Sequence, residues 1–233
     1  MSTVYLIPTF LAEQAIETIP AYVIDAVKNC TVIFAENERT ARRFLKSMDK
    51  SIIIDSFEWH TIHKVEGEQI TNFKSAITAN KNIAIMSEAG CPGVADPGQE
   101  LVAIAQQLNC NIKPLVGPNS ILLALMASGM NGQQFEFIGY LPIDNSDRIK
   151  KIKELEISSM KNNSTKIFIE TPYRNNQLLE SLINHGNNTT QLCIAFNLTS
   201  ASETIITKSI ASWKQKKPAL QKEPAIFLIY AGK

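Results

Sequence analysis

Long hydrophobic runs are missing from this 233-residue chain. No stretch approaches the roughly 18 apolar residues that a membrane-spanning helix needs, so no membrane partner is expected. The start, MSTVYLIPTF, lacks the basic head and extended apolar centre of a secretory leader and reads as a first strand. A charge excess of one sign is also missing. The 23 Lys+Arg stand against 22 Asp+Glu, which excludes nucleic-acid binding by bulk charge alone. Cysteine is sparse and scattered. Cys30, Cys91, Cys110 and Cys193 form no C-x-x-C pair, which excludes a zinc ribbon or a thioredoxin-type centre. Reduced thiols of a cytoplasmic protein account for them. Histidine is rarer still. His60 and His63 stand close together in WHTIH, but no third ligand candidate is near, so no metal site is expected. The phosphate-binding GxxxxGK[ST], the dinucleotide GxGxxG and the nucleophile elbow GxSxG are all absent.

What is present is ample core material, with 45% hydrophobic residues, in a length that fits one large domain or two small ones. Strand and helix patterns alternate. TVYLIPT, TVIFAE, SIIIDS, NIAIMS and NIKPLVG read as strands by their β-branched and aromatic content. Between them AIETIPAYVIDAVKN, ERTARRFLKSM, EQITNFKSAITAN and PGQELVAIAQQLN carry apolar residues at helical spacing. Pro20 in the first of these is a break or a new first turn. Such alternation implies a mostly parallel sheet covered by helices. PLVGP then interrupts the pattern, and the expected domains are residues 1–116 and 117–233.

The second half begins with the helix NSILLALMASGM and continues through FEFIGYLP, a charged helix SDRIKKIKELEISSMKN, TKIFIET and the helix YRNNQLLESLINH. QLCIAFNL, SETIITKS and PAIFLIYAG follow as strands, with IASWKQ a short helix before the last. Strands following one another without helices predict mixed or antiparallel pairing. Charge is uneven: residues 1–117 hold 10 basic and 13 acidic side chains, residues 118–233 hold 13 and 9. The second half can therefore face an anionic partner, although ordinary surface solvation explains the same excess. KQKKPALQK reads as an exposed basic loop.

Open α/β sheets bind ligands where strands end at their carboxyl side. Six strand ends here carry unusual residues: Pro8-Thr9, AENER (Glu36 to Arg39), SEAGCPGVADPG, VGPNS, GYLP and ETPYR (Glu170 to Arg174). Glycines let a backbone approach a ligand closely, but Gly and Pro are also the ordinary residues of turns. One such loop would favour the turn; six favour a binding cleft.

In order along the chain, YLIPT, AENERTARRFL, IAIMSEAGCPGVADPG, PLVGPNS, FEFIGYLP, IFIETPYRNNQLLESL and NLTSASE resemble the tetrapyrrole methylase superfamily, in its branch that methylates 16S ribosomal RNA. The resemblance implies two α/β domains, a parallel-sheet N-terminal one and a mixed-sheet C-terminal one, with a cofactor cleft between them, and a homodimer. It implies S-adenosylmethionine held mainly by backbone groups, with Pro8, Ser87, Glu88, Ala89, Gly90, Cys91, Ser120, Ile121 and Ala225 facing it. It places Glu88 beside the cofactor and Glu36, Arg39, Glu170 and Arg174 on the substrate side. The implied acceptor is a ribose 2′-hydroxyl of 16S ribosomal RNA or the small ribosomal subunit. Some positions depart from the family pattern. The loop Pro-Thr-Pro-x-Gly-Asn-Leu is PTFLAEQ here, Glu-Asp-Thr-Arg is Glu36-Asn37-Glu38-Arg39, and Ser-Asp-Ala-Gly-Thr-Pro is SEAGCP. The chain also lacks the C-terminal extension of longer relatives.

Methyl transfer from a sulfonium needs an oriented donor and no covalent enzyme intermediate, which agrees with the missing nucleophile motifs. A ribose hydroxyl needs a proton acceptor or electrostatic help, and the arginines can equally clamp a phosphate. Glu88 can attract the cationic cofactor, orient the hydroxyl, or simply cap loop amides. Two other readings stand beside RNA methylation: the same chemistry on a small molecule such as a tetrapyrrole, or a non-catalytic cofactor-binding protein.

Overall fold

The computed structural model describes residues 1–13, 15–62, 67–218, 220 and 222–232. The chain divides into two compact units, Met1–Asn119 and Ser120–Lys233. The first unit is built on strands β1 (Thr3–Ile7), β2 (Val32–Ala35), β3 (Glu58–Thr61), β4 (Ile83–Met86) and β5 (Asn111–Pro114). Helices α1 (Tyr22–Lys28), α2 (Glu38–Met48), α3 (Gly67–Thr78) and α4 (Gln99–Gln107) alternate with them. All strand pairs are parallel, in the order β3-β2-β4-β1-β5. The strands β2 and β4 are buried along their whole length, which is why VIFA and IAIM are apolar throughout rather than alternating. Ile33, Met86 and Phe44 pack on one side of the sheet and Phe34, Ile85, Phe73 and Leu101 on the other.

Two details correct the reading of the sequence. SIIIDS is not a strand. Ile54–Ser56 forms a 3-10 turn, and the third strand is the less apolar Glu58–Thr61. Its register against β2, Val32 opposite Glu58 and Ala35 opposite Thr61, selects it. Trp59 closes the preceding turn by donating its indole N–H to the Ile54 carbonyl at 3.0 Å, and His60 stacks on Phe34 at 4.7 Å. An edge strand with one partner tolerates this polarity, and three β-branched isoleucines alone do not make a strand. The segment AIETIPAYVIDAVKN is likewise not one helix. It has a 3-10 turn at Ile16–Thr18, then α1, whose start is held by Val23 donating to the Pro20 carbonyl. Proline thus opens a new first turn, where its missing N–H costs nothing.

The second unit carries a sheet ordered β6 (Phe135–Tyr140), β7 (Thr165–Glu170), β10 (Ala225–Tyr230), β8 (Gln191–Phe196), β9 (Thr204–Ser209). Only β6 and β7 pair in parallel; the remaining pairs are antiparallel. Both halves are therefore α/β, the first parallel and the second mixed. The helices are α5 (Ser120–Ser128), α6 (Asn145–Asn162), α7 (Asn175–His185) and α8 (Ile210–Gln215). Phe168, Phe227, Leu179, Leu182 and Trp213 fill the core, and the Trp213 indole N–H is satisfied by the Leu192 carbonyl at 2.9 Å. No helix among the described residues is long and apolar enough to cross a membrane.

One buried cation ties α6 to α7. Arg148 is 2% exposed, and no carboxylate pairs with it among the described residues. Its guanidinium donates instead to the Ser181 hydroxyl at 2.9 Å, the Ile143 carbonyl at 2.7 Å and the Asn145 amide oxygen at 2.8 Å. Removing it orphans one buried acceptor, the Ser181 hydroxyl, and partly buried ones at Pro142, Ile143 and Asn145. Arg148→Met is expected to cost about 2–3 kcal/mol, read as a lower urea midpoint with an unchanged slope.

Candidate functional site

Register places the site. Ile7 lies opposite Met86, and Met86 lies opposite Ala35, so β1, β4 and β2 end in one row. The residues that follow, Pro8, Ser87 and Glu36, are therefore neighbours although they are far apart in sequence. The Glu36 amide donates to the Met86 carbonyl at 2.9 Å, which continues the pairing past the strand. The loop after β4 then folds onto the loop after β1. Thr9 and Gly90 exchange two backbone hydrogen bonds, at 2.8 and 3.2 Å. Gly90 holds φ +78°, a left-handed conformation that side chains disfavour, and a Cβ there would meet Leu11 at 3.3 Å. Behind them Gly117 lies flat on Pro8: a Cβ at 117 would stand 2.1 Å from the proline Cβ.

Acids cluster at this row. The Glu36 carboxylate accepts from the Glu88 amide at 2.9 Å, and Thr40 donates its hydroxyl to the Glu88 carboxylate at 3.4 Å. Thr40 is set there by Asn37, whose side chain caps α2 by accepting from the amides of Arg39 and Thr40. Asp96 completes the group. Burial, then the charges of Glu36 and Glu88, push its carboxyl up to about 6, and a hydrogen bond from Ser87 offsets this in part. Beside the row lies a cavity of about 270 Å³, walled by Thr9, Phe10, Leu11, Thr40, Phe44, Ser87 and Ala89, among others. This is just under the ~300–1,000 Å³ of ordinary small-molecule pockets. The Ala89 amide, on its rim, donates to no described residue.

Residues 15–213 match the family model for tetrapyrrole (corrin/porphyrin) methylases. The chain belongs to this family. Among curated relatives it is 32% identical to ribosomal RNA small subunit methyltransferase I of Bacillus subtilis (strain 168), over 78% of this chain and 59% of that one. It is 29% identical to the protein of the same name from Halalkalibacterium halodurans, over 82% of this chain and 63% of that one. The chain thus spans less than two thirds of the length of these relatives. Among solved structures, the methyltransferase CobJ superposes with a TM-score of 0.64 over 98% of this chain and 93% of its own, at 18% identity. A uroporphyrin-III-C-methyltransferase from Thermus thermophilus superposes with a TM-score of 0.58 over 99% and 95%, at 14% identity. Identities this low carry the fold of these methylases and nothing finer.

Within the methylase fold, the structure brings some of the expected site residues together and separates others. Pro8, Ser87, Glu88, Ala89, Gly90 and Glu36 share the strand-end row, and Arg39 projects from the first turn of α2, exposed. Cys91 adjoins the row, but its thiol donates to the Pro118 carbonyl at 3.5 Å and burial raises its pKa, so it is not a reactive thiolate. Glu170 and Arg174 lie in the second unit and are occupied with each other. One Glu170 oxygen accepts from Arg174 Nε at 3.0 Å, from its Nη2 at 2.6 Å and from the Thr171 amide at 2.7 Å. Glu170 is 6% exposed. A carboxylate held this way is a brace for the loop. Ser120, Ile121 and Ala225 also belong to the second unit. Of the histidine pair, His60 bonds Glu58 at 3.0 Å as well as stacking on Phe34, and His63 lies outside the described residues.

Asp96 and the cavity wall from Phe10 to Phe44 were not assigned a role from sequence. Asp96 stands in the same Gly-Pro loop as Glu88, and that loop turns back on itself: Gly93, Ala95 and Gly98 all have positive φ. Three left-handed residues so close together are the signal, since they force the segment into a hairpin-like return.

Two outcomes follow from this geometry. Gly117→Ala drives a methyl into Pro8 and is expected to lower stability by ~1–3 kcal/mol, visible as a drop in melting temperature. Asp96 holds its proton to a higher pH in the folded chain than in the unfolded one, where it titrates near ~3.9. Between those values the folded state binds more protons, so this contribution is full below the unfolded value and is lost as pH rises through about 6. Asp96→Asn is therefore expected to melt higher than the parent at neutral pH, with the difference shrinking as the pH is lowered towards the unfolded value.

Proposed function

We propose that this protein is an S-adenosylmethionine-dependent methyltransferase whose acceptor is a ribose 2′-hydroxyl of 16S ribosomal RNA. One observation carries the reading: the level ending of β1, β2 and β4, which joins Glu36, Glu88 and the glycine-turned loop 87–91 at the rim of a cavity. Membership of the methylase family supports the chemistry. The shared name of the curated relatives supports the acceptor.

The residues present fit the cofactor. A glycine at 90 lets backbone line the site, the Ala89 amide is open to donate to a ligand oxygen, and two carboxylates favour a cation. Ser87, Glu88, Ala89 and Gly90 would hold it. The assignment of Pro8, Cys91, Ser120, Ile121 and Ala225 to it rests on the resemblance alone, as do a position between the two halves, a homodimer and work in the cytoplasm. When bound, S-adenosylmethionine supplies an electrophilic methyl group on sulfur. Glu36 would take the proton of the attacking hydroxyl, its carboxylate held in place by the Glu88 amide. Glu88 would orient that hydroxyl or attract the cofactor's positive charge. Arg39, exposed on the first turn of α2, would receive a phosphate.

Calorimetry with S-adenosylmethionine and transfer of its labelled methyl group to isolated small ribosomal subunits test the proposal. Binding with thermal stabilisation, and label recovered in ribose of the RNA, are expected. Label in a small-molecule fraction would favour a tetrapyrrole-like acceptor, and binding without any transfer would favour a non-catalytic protein. Absence of binding would remove the cofactor assignment. Glu36→Gln is expected to lower turnover by about 10²-fold or more while cofactor affinity stays within a few fold.

A further inference from the structure

We propose that Tyr173 and the lysines Lys214, Lys216, Lys217 and Lys222 of the second unit form a docking platform for single-stranded RNA. The proposal rests on the methyltransferase reading and says which surface receives the substrate strand. Tyr173 sits at the tip of the turn Pro172–Arg174 that ends β7. It is 80% exposed, so its ring contributes little to the core. The Lys222 ammonium stands 5.2 Å from the ring centroid, so a flat aromatic surface and a cation are presented together. Sequence adds three further lysines, Lys214, Lys216 and Lys217, and the first acid after them is Glu223.

This arrangement is held in place. Asn176 binds Leu220 twice, donating to its carbonyl at 2.7 Å and accepting from its amide at 3.0 Å. Asn175 donates to the Glu223 carbonyl at 2.7 Å. Lys217 reaches Glu180 on α7 at 2.6 Å. The first turns of α7 thereby hold Lys217, Leu220 and Glu223. Arg174 is fixed on the same turn by Glu170. Glu170 and Glu180 are each already paired, Glu223 follows Lys222 directly, and Lys216 makes no ion pair among the described residues.

Exposed aromatic rings stack nucleobases whatever their identity, and neighbouring lysines neutralise phosphates; together these are the elements of single-strand recognition. An acidic protein surface would use the lysines but not the ring. Double-stranded RNA hides its base faces and would find no use for Tyr173. The near-neutral charge of the whole chain is no objection, because the excess is local.

The test uses the full chain with S-adenosylhomocysteine present and a short labelled single-stranded RNA, read by fluorescence anisotropy across a salt series. Tyr173→Ala is expected to weaken binding about tenfold and Tyr173→Phe to leave it within about twofold. Lys222→Gln and Lys216→Gln are each expected to weaken binding and to flatten the salt dependence by about 0.7 in slope. Calorimetry of S-adenosylhomocysteine should be the same for all variants, which shows that they are folded. If Tyr173→Ala binds RNA as the parent does, the platform is wrong. It is equally wrong if duplex RNA binds better than the single strand, or if polyglutamate competes as well as RNA does, the latter pointing to an acidic protein. Loss of cofactor binding in the parent would sink the methyltransferase reading without changing the RNA measurement, so the two failures are distinguishable.

Discussion

Parallel pairing of β4 with β1 on one side and β2 on the other sets the position of every polar group in the first unit's site. The pairing is held by apolar side chains buried on both faces, which makes a one-residue slip prohibitive because it would exchange the two faces. With the register locked at Ile7, Met86 and Ala35, three loops must begin side by side. Their backbones then satisfy one another: Thr9 with Gly90, and Glu36 with Met86 and Glu88. A site built this way is rigid at its base and variable at its tips.

Three carboxylates in such a row repel one another; burial first and this repulsion second push the Asp96 carboxyl upward, and the protein supplies hydroxyl and amide donors to the others. The same negative field suits a cationic ligand. This is the electrostatic sense in which the Gly-Pro loop after β4 is more than a turn. The departures from the family pattern fall on this rim. Phe10 packs edge-on against Phe44 at 5.2 Å, turning a loop position into a cavity wall, and Asn37 in place of an acid serves as the cap of α2. These replacements have clear structural uses, so altered loop chemistry alone is no argument for a lost activity.

The second unit solves a different problem. Its strands are mostly antiparallel, so β7 and β8 end at the same edge where β10 begins, with Ala225 opposite both Glu170 and Phe196. That edge gathers the brace between Glu170 and Arg174, the exposed Tyr173 and the fastened lysines. The lysines are already clustered in the sequence; the fold adds the aromatic ring, setting Tyr173 beside Lys222.

Much of this was legible in the residues. Apolar strands such as VIFA and IAIM, the capped helix ERTARRFLKSM and the ordered motifs of the methylases specify element types and fold class, because local propensity and hydrophobic period act over a few residues. The loop SEAGCPGVADPG was legible as unusual for the same reason. The third strand was not: SIIIDS has the better strand composition, yet EWHT pairs with β2, because the choice depends on register and on Trp59 and His60 finding partners. Nor could the sequence alone show that Glu170 is spent on Arg174 while Glu36 stays beside Glu88, or that Asp96 joins them. Glu36 and Glu170 look alike as letters at the end of a strand. Only the folded chain, by setting burial and distance, decides which carboxylate is braced by an arginine and which stands in a row of acids.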